Sequence, residues 1–78
     1  MENKESNVID MARHMIKQVV YATTLAVELF DNNYREADKW MINKNEVFFN
    51  NSPIDVILSK EGKHVIKFLE DRLGRGNG

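Results

Sequence analysis

From Val8 to Phe30 the chain carries neither Gly nor Pro, and Asp10, Arg13, His14, Lys17, Thr24 and Glu28 recur at helical spacing along one narrow stripe. Almost every other position is apolar, among them Val8, Met11, Met15, Ile16, Val19, Val20, Leu25, Val27 and Leu29. The pattern predicts a long first helix with Asn7 as its N-cap. An apolar arc this wide is more than a surface helix needs. The helix is therefore expected at the centre, wrapped on two sides by the others or covered in part by a second chain.

Asp31-Asn32-Asn33 is a turn signal, because Asx side chains bond to their own backbone and can cap the next helix. A short helix is expected from about Tyr34 to Met41, with Tyr34, Ala37, Trp40 and Met41 on one face. Asn43 to Asn51 mixes Asn, Lys and Glu with Val47, Phe48 and Phe49, and reads as a loop whose aromatics plug the core. Adjacent Phe48 and Phe49 compete for that space, so one facing outward becomes a candidate partner contact. Ser52-Pro53-Ile54-Asp55 is the sharpest local signal, a cap followed by proline at the first helical position. It starts a short helix, after which Ser59 is expected to cap a last helix from about Lys60 to Leu73. Gly62 in that helix's first turn costs up to ~1 kcal/mol against Ala, which suggests another backbone passing close by.

The pattern thus predicts an all-α fold, a small helical bundle of about four helices with a long first helix and a short Pro-initiated third. One domain spans residues 1–78, with 1–6 and 74–78 expected to be flexible ends. Seventy-eight residues give a thin core, which an oligomer or partner would supplement. The absence of Cys excludes disulfides and thiolate metal sites. The polar start, the lack of a membrane-length apolar run and the cysteine count fit a soluble, cytoplasmic protein. A net charge of -1 lacks the basic excess of an autonomous nucleic-acid binder.

Catalytic and cofactor chemistry is not visible. His14 and His64 stand alone on polar stripes, without a second ligand at metal-binding spacing. Glu70 and Asp71 are adjacent and diverge by about 100° on a helix, so they form no acid–base pair. No Gly-rich loop precedes a helix to cradle phosphate. The expectation is no enzyme, no metal and no cofactor. Trp40 reads as core packing, and Lys63, Lys67, Arg72 and Arg75 give the C-terminal end a mild positive charge.

The order Leu29-Phe30-Asp31, Ala37, Trp40-Met41, Asn45, Ser52-Pro53-Ile54, Val56-Ile57-Leu58, Gly62, Val65, Leu69, Leu73 resembles the toxin-binding domain of Xre/MbcA/ParS-type antitoxins. It covers roughly residues 25–73, and Trp40, Pro53 and Gly62 in one register carry it as the structural residues. Met41 stands where that family usually has Leu, Lys44 where it often has Pro, and Asn50-Asn51 where Gly is common. The resemblance implies an all-α homodimer that occludes the active site of a RES-type, NAD-consuming toxin. Carried over by position, the partner-binding candidates are Lys63, Lys67, Asp71, Arg72, Gly74, Arg75 and Gly76, with the rest of the tail. Two other readings stand beside it: a stand-alone dimeric scaffold without a toxin, and a small DNA-binding regulator.

Overall fold

The computed structural model describes residues 4–75. Helix α1 spans Lys4–Leu29, α2 spans Tyr34–Ile42, and a 3-10 turn covers Glu46–Phe48. Helix α3 covers residues 53–72 in three stretches: Pro53–Val56, a widened turn Ile57–Glu61, and Gly62–Arg72. Among the described residues the fold is all-α with three helices, the first long and the third started by Pro53, rather than about four.

The two limbs of the third helix follow one another directly, across a kink at Lys60 rather than through a capped break. Ser59 does not cap a new helix; its hydroxyl donates to the Asp55 carbonyl at 2.8 Å, the back-bond serine makes inside a helix. Glu61, at the head of the second limb, makes no side-chain cap either. The change of direction falls on Lys60, held in the left-handed region at φ 70°. Asn7 is likewise no cap, since α1 already begins at Lys4. Of the ends expected to be flexible, 4–6 belong to α1 and 74–75 come after α3, while Met1–Asn3 and Gly76–Gly78 lie outside the described residues.

Other local signals act as the sequence implies. α1 ends in a left-handed pair, Asp31 and Asn32, and the Asn32 N–H bonds back to the Val27 carbonyl at 2.9 Å. Asn33 then caps α2 by accepting the Glu36 N–H at 3.1 Å. Ser52 caps α3 by accepting the Asp55 N–H at 3.1 Å, with Pro53 behind it at the first helical position.

The core lies where the C-terminal half of α1 meets α2 and α3. Ala22, Leu25 and Ala26 of α1 are buried with Ala37, Met41, Phe48, Ile57, Val65 and Leu69. Small residues at 22, 26 and 37 let the helix axes approach closely. Gly62 serves the same approach, but a side chain rather than a backbone is its neighbour: a Cβ there would lie 2.9 Å from Gln18 Cδ. Tyr34, expected on the inner face of α2, is 71% exposed at the first residue of the helix. Trp40 is half-buried; it stacks on Phe68 at 5.9 Å and meets the edge of Phe48 at 6.1 Å.

Two substitutions test this packing by urea unfolding. Trp40→Ala is expected to cost about 3 kcal/mol, the low end for removing a large aromatic, since the ring is only half-buried. Lys60→Gly should instead add about 1 kcal/mol. A left-handed position costs a non-glycine residue roughly 1–2 kcal/mol, and glycine's entropic cost of ~0.5–1 kcal/mol offsets only part of that. A loss of stability in Lys60→Gly would contradict the strain assigned to that bend.

Candidate protein-binding site

The segment 45–52 is shaped by its asparagines. Asn45 accepts the Val47 N–H through Oδ1 at 2.9 Å, and its own N–H reaches the Asn51 carbonyl at 3.2 Å. The Asn51 N–H then bonds to the Phe48 carbonyl at 3.0 Å, closing a tight turn around Phe49 and Asn50. Both central residues have positive φ, 57° and 66°. Asparagine tolerates that region, whereas a bulky residue there is an outlier.

The turn decides between the two adjacent phenylalanines. Phe48 points inward, 6% exposed, with its ring 5.6 Å from that of Phe68. Phe49 points outward and is 90% exposed. Beside it runs a groove of about 580 Å³ between the 47–51 segment and α3. Val47, Phe48, Phe49, Val56 and Phe68 supply its apolar lining, and Asp55, Ser59, Glu61, His64, Lys67 and Asp71 its polar one.

The charged groups pair along the helix. His64 Nε2 lies 2.9 Å from Glu61 Oε1, and Lys67 Nζ lies 3.6 Å from Asp71 Oδ2. All four side chains are more than half exposed, so these contacts orient the rim rather than stabilise the fold. The Arg72 guanidinium lies over the Phe68 ring, 4.9 Å from its centre. A groove with an apolar lining and a rim of both signs suits a protein surface. Within it the Ser59 hydroxyl donates to the Asp55 carbonyl.

The residues expected at a partner contact divide between two sides of α3. Lys67 and Asp71 line the groove and Arg72 lies over Phe68, whereas Lys63 is exposed outside it. Gly74 follows the C-cap residue Leu73 and is left-handed, at φ 77°. Arg75 turns away to α1, where its guanidinium donates to both carboxylate oxygens of Glu28, at 2.6 and 2.9 Å. On that side the Tyr21 hydroxyl donates to Glu70 at 2.7 Å, which holds its pKa above the ordinary phenol value. Gly76 lies outside the described residues.

Sequence reasoning left open which phenylalanine faces out and gave Asp55, Ser59 and His64 no role in binding. The turn-forming Asn50-Asn51 is the one local signal for the outward Phe49, and the groove itself joins segments far apart in the chain. Among the described residues, no group of three or more His, Cys, Asp or Glu is placed to hold a metal ion, and no helix is long and apolar enough to cross a membrane. No family model, curated protein or solved structure gives a significant match to the chain.

Proposed function

We propose that this chain is a protein-binding module of the antitoxin type. It neutralises a RES-type, NAD-consuming toxin by covering the toxin's active site, and performs no catalysis of its own. The observation that carries the binding role is Phe49: a bulky apolar side chain, 90% exposed, on a backbone conformation that disfavours it. Exposure of the ring and the left-handed φ both work against the isolated fold, and strain of that kind concentrates at functional sites. A partner that receives the ring offsets that cost on binding. The identity of the partner rests on the resemblance carried by Trp40, Pro53 and Gly62.

Under this reading the contact is the groove and its rim. Phe49 and Phe68 supply the apolar anchor, and Lys67, Asp71 and Arg72 supply orientation. Lys63 and Arg75 are peripheral, because the first lies outside the groove and the second is engaged by Glu28 on the far side of α3.

The test is co-expression with the product of the neighbouring gene. That product should be a RES-type protein that copurifies with this chain and no longer arrests growth. A neighbour of another kind, with no complex formed, overturns the toxin assignment. Phe49→Gly separates binding from folding. It removes the left-handed strain and should raise the stability of the free chain by about 1 kcal/mol, while weakening the complex by about 2 kcal/mol or more, as loss of a hot spot does. A Phe49→Gly variant that binds as tightly as the parent would contradict the groove as the contact.

A further inference from the structure

We propose that the groove beside Phe49 receives a partner segment in which a lysine or arginine adjoins an apolar side chain, with Asp55 taking the cation. The inference rests on the groove as the docking site, not on the partner's being a toxin. Lys63, Lys67, Arg72 and Arg75 make the C-terminal end mildly basic, yet the groove has the opposite sign. Its lining holds three carboxylates, Asp55, Glu61 and Asp71, against the single ammonium of Lys67 and the imidazole of His64. The Arg72 guanidinium over Phe68 adds a second cation. With the imidazole neutral, the balance stays negative.

Two of the carboxylates are already engaged, Glu61 by His64 at 2.9 Å and Asp71 by Lys67 at 3.6 Å. Asp55 stands apart. Its N–H donates to the Ser52 hydroxyl and its carbonyl accepts from Ser59, but among the described residues its exposed carboxylate makes no hydrogen bond or ion pair. The capping box that Ser52 and Asp55 could close is thus half made, since the carboxylate returns no bond to the Ser52 N–H. The helix dipole favours a carboxylate in the first turn, and that much needs no partner. The dipole does not account for its place on the wall of an apolar groove, in company with Phe49 and Val56. An occupant that covers Phe49 also takes water from Asp55, and a desolvated carboxylate needs a counter-charge. A neutral or acidic occupant would leave that charge unpaired, so the groove selects by exclusion as well as by attraction.

Phenylbutylamine and phenylbutyrate carry the same ring and chain with opposite charges, and each can be titrated at millimolar concentration into the isotope-labelled full chain. The amide resonances of Val47, Phe49, Asp55 and Phe68 should move saturably with the ammonium, with a Kd at least about fivefold below that of the carboxylate. Asp55→Asn should abolish that preference, whereas Phe49→Gly should weaken both fragments alike. A purely structural Asp55 would not produce that split. Equal or tighter binding of the carboxylate, or a preference unchanged in Asp55→Asn, overturns the cation assignment and leaves the groove standing. If neither fragment moves these amides, the groove takes no ligand, and the proposal falls together with the reading it rests on.

Discussion

The stack of Trp40 on Phe68, with Phe48 edge-on to both, is the contact on which the rest of the structure depends. It ties α2, the irregular 43–52 segment and the last limb of α3 into one unit. Without it the segment would be held to the helices mainly by the hydrogen bonds at its two ends, Asn43 to Lys39 and Ser52 to Asp55 and Val56. Burying Phe48 has a second effect. The turn immediately after it is too tight to bring its neighbour inward as well, so Phe49 is driven into solvent. The exposed ring is thus a product of the same packing that holds the fold together.

The second constraint is the bend at Lys60. It lets α3 begin under the Ser52 cap and still bring Val65 and Leu69 into the core against α1, with Phe68 beside the stack. A straight helix from Pro53 would carry those side chains elsewhere. A lysine rather than a glycine occupies the left-handed position, so the bend stores strain that packing must offset.

Capping chemistry was legible in the sequence because it is local. Asn33 and Ser52 with Pro53 act within four residues of where they stand, and both ends form as expected. Ser59 misled for the same reason: a serine hydroxyl serves equally as a cap or as a back-bond inside a helix, and only the surrounding fold selects one. Lys60 offered no signal, since a lysine in the left-handed region has no sequence signature. The wide apolar arc of α1 signalled either cover by the other helices on two sides or partial cover by a second chain. The fold covers the C-terminal half with α2 and α3 and leaves residues 7–14 exposed. The groove was not legible at all, being built from Val47–Phe49 and from side chains between Asp55 and Asp71 that meet only once α3 has bent. Trp40, Pro53 and Gly62, which carry the resemblance, are engaged in packing and at the start of α3, and the side chains proposed to bind lie around them.

The central claim is that the Phe49 groove is where a partner docks. Its most direct test is the amide spectrum of the isotope-labelled chain titrated with the neighbouring gene's product. The account predicts perturbed resonances at Val47, Phe49, His64, Lys67, Phe68 and Asp71, with those of Ile9 and Ile16 unmoved. Perturbation confined to α1, or none on the 47–51 segment, would contradict it.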